Sequence, residues 1–263
     1  MKKVILIALS VLLVSLLAAC GTSEEASTGS GSGEKSDKKV LTMGTSADYP
    51  PFEYVDSAKG EEIIGFDVDL AKAIGEKLGY EIQVKDMDFN GLIPALETSQ
   101  VDFVLAGMTP TDERKENVDF SDVYYTASHM IVSKKDSGIE SLEDLNGKTL
   151  GVQLASIQAD KAEEISETVD MTVENRNRIP ELVQEIMAGR FDAAMIEDTV
   201  AKGYFEKNKD LAGFTIEEDE TEAGSAIAFP KGSELTEKFN AELLKMKENG
   251  ELEKLIVKWF DNK

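Results

Sequence analysis

From residue 40 onward the chain alternates short apolar strands with amphipathic helices, and it runs through that alternation twice. Such a pattern commits it to an α/β fold, because strands separated by helices share a sheet with the helices packed on its faces. Residues 40–44 read as the first strand. Residues 65–79 read as a helix, with Phe66, Leu70, Ile74 and Leu78 on one stripe, Asp67 and Asp69 near its start and Gly79 beyond its end. Residues 82–84 form the next strand, Asn90 is placed to cap the helix bearing Leu92, Ile93 and Leu96, and Pro94 is tolerated near that helix's beginning. Residues 101–106 complete a βαβαβ unit. In the second unit, residues 130–133 and 149–153 are strands on either side of a helical turn at 142–147, and residues 156–165 are a helix. Pro180 begins a helix over 180–187, Gly189 ends it, and residues 193–196 are a strand. Residues 226–229 add a strand, and the tail carrying Leu235, Phe239, Leu243, Leu252, Leu255 and Trp259 covers an apolar face. Two αβ lobes joined by chain crossings enclose a cleft, and ligands of open α/β sheets bind beyond the carboxyl ends of the strands.

Lys2 and Lys3 precede an apolar run, residues 4–17, that is too short to span a bilayer comfortably and reads as a secretory signal. Leu17-Ala18-Ala19-Cys20-Gly21 resembles the bacterial lipobox, in which a signal peptidase cuts before the Cys and the thiol carries a diacylglycerol. On that resemblance residues 1–19 are a lipoprotein signal peptide, and Cys20 is the lipidated first residue of the mature chain. Cys20 is the only Cys, so neither a disulfide framework nor a CxxC site can form. Residues 20–39, rich in Ser, Gly, Glu and Lys, have the composition of a flexible tether. What remains suffices for one large domain or two small lobes, and a hydrophobic fraction of 41% is adequate for real cores. The formal net charge is -23 and grows more negative once Lys2 and Lys3 are removed; it disfavours nucleic acid and anionic headgroups and favours a cationic small molecule, although acidity also serves merely to keep a secreted protein soluble.

The segment LAGMTPTDERKENVDFSDVYY, residues 105–125, leaves the last strand of the first unit at its carboxyl end. Arg114 is either a surface residue paired with Glu113 or Glu116, or the receiver of a small acid's carboxylate. A guanidinium is a planar fork of donors that fits a carboxylate bidentately, and Thr109 and the Gly107 backbone can add donors beside it. The position of Arg114 after that strand favours the second reading.

Four runs carry a resemblance to a known family. They are Gly44-Thr45-Ser46-Ala47-Asp48-Tyr49-Pro50-Pro51-Phe52-Glu53, Gly65-Phe66-Asp67-Val68-Asp69-Leu70-Ala71, residues 107–114, and Val118-Asp119-Phe120-Ser121-Asp122. They closely resemble the polar amino acid binding proteins of ABC importers. Within that family residues 108–112, 129–136 and 196–204 look most like the arginine-binding lipoproteins of Gram-positive bacteria. The resemblance implies a two-lobed periplasmic-binding-protein-like (type II) fold with two hinge strands and a ligand cleft between the lobes. It places lobe 1 at 40–126 plus 224–263 and lobe 2 at 127–223, with crossings near 125–127 and 223–225. By match of position, Arg114, Thr109 and Ser156 would hold the ligand's carboxylate and Glu197 and Gly107 its amino group. Ala155-Ser156-Ile157 replaces the family's Gly-Thr-Thr, so a hydroxyl contact from position 157 is lost, and Ser156 can equally be a plain helix cap. A slip of one position would put Asp198 in place of Glu197.

An arginine side chain wants aromatic faces along its stem and a carboxylate at its tip. Tyr49, Phe52 and Phe89 lie where the family lines that pocket, and Asp48 or Glu53 would hold the cationic end; Phe52 and Phe89 could instead be core, and Asp48 a loop acid making a local turn bond. Ser46 stands where relatives often carry Asp, which leaves histidine, lysine, ornithine and glutamine as competing ligands. An enzyme on this fold, such as the related dehydratases, would need a positioned acid and base, yet the only His is His129, near a hinge, so no catalytic residue is expected. Glu163-Glu164 and Glu217-Glu218 read as solvated faces. Neither a metal nor a cofactor is expected. The expected partners are one free amino acid, arginine favoured, a permease with its cytoplasmic ATPase, and the membrane through the lipid on Cys20; the protein itself is expected to be a monomer outside the cell membrane.

Overall fold

The computed structural model describes residues 38–56, 60–216 and 224–261. The residues expected to be a signal peptide, Cys20, nearly all of the expected tether, the Glu217-Glu218 pair and Ala223 lie outside the described residues.

The chain enters on strand β1 (Lys39–Thr45), forms an antiparallel hairpin from β2 (Asp48–Tyr49), β3 (Glu53–Asp56) and β4 (Glu62–Ile64), and continues into helix α1 (Phe66–Leu78). Helix α1 ends as its sequence dictates: Gly79 adopts φ 78°, where a side chain would be strained, and its N–H closes the last turn. Strand β5 (Tyr80–Asp86) follows, then a 3-10 turn (Phe89–Gly91), helix α2 (Leu92–Glu97), strand β6 (Phe103–Val104), helix α3 (Asp112–Asn117) and strand β7 (Val118–Phe120). Strand β8 (Tyr125–Thr126) leads out of this lobe. The second lobe comprises β9 (His129–Lys134), a 3-10 turn (Glu143–Leu145), β10 (Thr149–Gln153), α4 (Ile157–Ser166), β11 (Thr172–Arg176), α5 (Ile179–Met187), β12 (Ala193–Glu197), α6 (Asp198–Lys207) and β13 (Leu211–Thr215). The chain returns through β14 (Gly224–Ser225) to β15 (Ala228–Pro230), α7 (Glu234–Glu248), α8 (Glu251–Ile256) and a final π turn (Val257–Asp261).

Each lobe is built on a five-stranded mixed sheet, in the orders β5-β1-β6-β15-β7 and β11-β10-β12-β9-β13. In both, the strand made after a crossing, β15 in the first sheet and β9 in the second, pairs antiparallel with its two neighbours, and the remaining pairs are parallel. The crossings β8 and β14 pair with each other, Thr126 opposite Gly224 and Tyr125 opposite Ser225, which gives the two hinge strands. Leu41, Met43, Leu70, Phe103, Phe229, Phe239 and Leu243 fill the first lobe, and Ile131, Leu150, Val152, Ala162 and Met195 the second; all are fully or almost fully buried.

Three local expectations change. The strand expected over 101–106 pairs only at Phe103–Val104, because the chain turns away beyond it to reach the cleft. Asn90 does not cap α2: a 3-10 turn leads into the helix, and the Leu92 N–H is met by the Phe89 carbonyl, so no capping side chain is needed. Pro180 is the second residue of α5, after Ile179, and Glu181 reaches back to the N–H of Arg178 at 3.1 Å.

Candidate functional site

Between the lobes lies a cavity lined by Ser46, Asp48, Tyr49, Glu53, Phe89, Ala106, Gly107, Thr109, Arg114, Gln153, Ser156, Ile157, Gln158 and Glu197. The residues come from the strand ends and loops of both sheets, where the α/β architecture opens.

Arg114 is held in place by its own helix. Thr111 caps α3 by accepting the Arg114 N–H at 3.2 Å, which sets the base of the side chain. The guanidinium then donates to the Thr109 carbonyl at 2.9 Å and, across the cleft, to the Ala155 carbonyl at 2.8 Å, and it lies 5.4 Å from the Phe89 ring centroid. These bonds use two of its five N–H donors. Burial lowers its pKa to about 10, so it remains charged at neutral pH. Ala155 supplies its carbonyl from φ 62°, a left-handed conformation unusual for an alanine.

Acidic side chains line the same cavity. Glu53 and Glu197 line the cavity and are almost wholly buried, and burial drives both carboxyls well above the usual carboxylate range. The Tyr49 hydroxyl donates to Glu197 Oε2 at 3.4 Å, while Oε1 meets no donor among the described residues. Asp48 is differently placed. Its carboxylate accepts the Ile179 N–H at 3.1 Å and the Ser46 hydroxyl at 3.3 Å, and its carbonyl accepts the Tyr204 hydroxyl at 2.9 Å, so it bridges the lobes. Burial pushes its pKa up to about 6, opposed by the nearby Arg178.

The expected residues therefore fall into groups. Arg114, Thr109, Ser156, Glu197, Gly107, Tyr49, Phe89, Asp48, Glu53 and Ser46 all line the cavity. Phe52 does not: it is fully buried, and its ring packs against Tyr49, Phe66, Tyr125 and Phe260 as core behind the pocket wall. Phe52 sits in the turn just before β3, where its ring enters the aromatic cluster while Glu53, the first residue of the strand, lines the cavity. Asp198, the alternative to Glu197, turns to the Ser128 N–H and to Lys202, away from the cavity.

Two lining residues are constrained in what they can offer. The Ser156 hydroxyl donates to the Gln153 carbonyl at 2.7 Å and accepts the Ala159 N–H at 3.2 Å, which caps α4. Its hydroxyl proton is thus committed, and the donors that α4 presents to the cavity are the first-turn amides of Ile157 and Gln158, which have no partner within a helix. Gly107 gives its N–H to Asp67 Oδ2 at 3.0 Å, leaving its carbonyl as the group for a ligand. Its φ of 56°, and the Tyr49 ring 3.1 Å from where a Cβ would sit, require glycine there. Gln153, Gln158, Ala106 and Ile157 were not legible as lining residues. Asp67 and Tyr124, behind Gly107 and Glu53, were missed as well, although the polar Asp67 in the run Gly65-Phe66-Asp67 was a signal that position could have given.

A two-lobed cleft with an arginine on one wall and acids on the others defines a binding protein for a small zwitterion. The comparisons agree. Residues 41–262 match the model of the bacterial extracellular solute-binding proteins, family 3, and the chain belongs to that family. It is 61% identical to the arginine-binding extracellular protein ArtP of Bacillus subtilis (strain 168), over 99% of this chain and 98% of that protein. It is 34% identical to the ABC transporter glutamine-binding protein GlnH of the same organism, over 99% of this chain and 98% of that protein. A solved structure of an ancestral arginine-binding protein bound to arginine superposes with a TM-score of 0.78 at 42% identity, covering 84% of this chain and 98% of that one. These relatives are solute-binding proteins rather than enzymes.

Proposed function

We propose that this protein is the lipid-anchored receptor of an ABC importer and that its ligand is arginine. The observation that carries the reading is the charge pattern of the cavity wall, one guanidinium with three carboxyl groups, Asp48, Glu53 and Glu197. An α-amino acid with a cationic side chain brings one anion and two cations, which meet that guanidinium and two of the three carboxyl groups. Arg114 takes the carboxylate, aided by Thr109 and the amides at the start of α4. Glu197 and the Gly107 carbonyl take the ammonium. Because Asp48 is already bonded to Ile179, Glu53 takes the guanidinium, whose stem runs past Tyr49 and Phe89. The 61% identity to a protein named for binding arginine supports the same choice.

In this reading residues 1–19 are removed, Cys20 carries the lipid on the outer face of a Gram-positive cell membrane, and residues 20–39 are the tether. Residues 40–126 with 224–263 form one lobe and 127–223 the other. The protein acts as a monomer. Ligand closes the lobes because it touches both, and the closed form is what a permease recognises. A crystal structure grown with arginine tests this. The carboxylate should sit on Arg114 and the guanidinium at about 2.7–2.9 Å from Glu53; a ligand in the reverse orientation, or with its guanidinium on Asp48, overturns the assignment.

A further inference from the structure

Glu53 faces the cavity from β3, yet neither of its carboxyl oxygens meets an N–H or O–H donor among the described residues. Its neighbour is a second carboxyl, that of Asp67 on α1, and both residues are 0% exposed. Asp67 Oδ2 accepts the Gly107 N–H at 3.0 Å and the Tyr124 hydroxyl at 2.8 Å, while Oδ1 has no donor. Two ionised carboxylates are acceptors only, so the contact between them becomes a hydrogen bond only when one is protonated. The other groups around Glu53 do not relieve this. Asp48 and Tyr49 come from β2, Glu197 from β12 and Tyr124 from the segment before β8; Arg114 lines the same cavity but donates to Thr109 and Ala155. A fully buried pair of acids with two donors on one side and none on the other holds its proton on the undonated side, at Glu53. Burial first, and the Asp67 charge second, push Glu53 well up, whereas Asp67, steadied by its donors, rises only to about 6.

We infer that Glu53 and Asp67 hold one proton between them and that an incoming cationic side chain displaces it, so that capture of arginine releases a proton while a neutral side chain such as glutamine's is accepted with the proton in place. The inference rests on the reading of the cavity as an amino acid site. The step balances simply: the Glu53 O–H bond breaks, its electron pair stays on the carboxylate, the proton passes to water at the cleft mouth, and the carboxylate accepts guanidinium N–H bonds in its place. Asp67 is then a positioning residue, reached by the ligand only through Glu53 and Gly107.

Calorimetric titration of arginine at pH 7 in phosphate and in Tris, buffers of very different ionisation enthalpy, counts the protons. Arginine should release about one proton more than glutamine, any proton that the shared ammonium displaces from Glu197 being common to both. Glu53→Gln should remove that excess and weaken arginine on the order of a hundredfold. Tyr124→Phe, which takes one donor from Asp67, should keep the fold and move the pH profile of release upward. An equal proton count for arginine and glutamine overturns the inference and leaves the ligand assignment standing, as does a Tyr124→Phe profile that does not move. Failure of every amino acid to bind overturns both.

Discussion

The Arg114 guanidinium donates to the Ala155 carbonyl at 2.8 Å, joining the segment that leaves β6 to the start of α4 across the cleft. The residue assigned to the ligand's carboxylate is thus also a strut between the lobes. Arg114→Ala should abolish arginine binding while the free protein stays folded, because losing one partner of a buried charge pair costs about 2–5 kcal/mol, thirtyfold to several thousandfold in affinity. Arg114→Lys should recover little, since an ammonium cannot reproduce the planar fork. Equilibrium titration checks both, and circular dichroism checks the fold; near-normal affinity in Arg114→Ala would refute the role.

Arg178 makes a second strut. At the start of α5 it pairs with Asp88 at 2.6 Å and Asp86 at 2.9 Å, next to the amide of Ile179 that binds Asp48. The pairs are partly exposed, so each is worth little, about 0.2–1 kcal/mol. Arg178→Ala should therefore weaken arginine only about three- to tenfold, through the closing equilibrium rather than through ligand contact. The same fold loss for every amino acid that binds would show this; a change of preference among ligands would contradict it.

Ser156 separates capping from recognition. With its hydroxyl committed to Gln153 and Ala159, Ser156→Ala should lower stability to urea by about 1 kcal/mol, the ordinary worth of such a cap. Arginine affinity should fall less than tenfold, because the ligand meets amides of α4 rather than this hydroxyl. A loss as large as that of Arg114→Ala would mean the hydroxyl touches the ligand after all.

The buried acids set a pH signature of opposite sign in the free and loaded protein. Asp48 and Asp67 each rise from 3.8 to about 6 in the folded state, burial being the main cause for both. The unfolded chain gives up these protons first, so their effect is to favour the fold most below pH 3.8 and to weaken it as pH rises to about 6. Urea unfolding of the free protein between pH 4 and 8 should show this loss once the ordinary surface charges are screened by salt. The stabilisation added by a fixed excess of arginine should grow over the same interval, because binding displaces the Glu53 proton and is favoured as pH rises. A ligand effect that shrank with rising pH would be inconsistent with carboxylates holding a cationic side chain.

Much of the fold was legible because its signals are local. The stripe from Phe66 to Leu78, closed by Gly79, required one helix and one stop, and β10 and the helix after Ser156 came from equally plain patterning. The short strands β2–β4, the helix α3, which buries no residue, the helix α6, which buries only Val200 and Ala201, and the early end of β6 were not, since they are too short or too polar to show a period. At the site, ten of the eleven expected ligand residues line the cavity, and the resemblance, not the spacing, found most of them. What could not be read was what each side chain is already doing. Ser156, Gly107 and Asp48 are each already hydrogen-bonded within the protein, and only the folded chain reveals that the Glu53 carboxyl meets no donor among the described residues.

The central claim is the preference for a basic amino acid, and a thermal-shift series with each of the twenty amino acids tests it most directly. Ligand at about a hundred times its dissociation constant adds roughly 2.7 kcal/mol to stability, a readable rise in Tm. Arginine should give the largest shift, lysine and glutamine smaller ones, and aspartate and glutamate none. A largest shift with an acidic amino acid would contradict the assignment of Glu53 and Glu197, and no shift with any of the twenty would contradict the account as a whole.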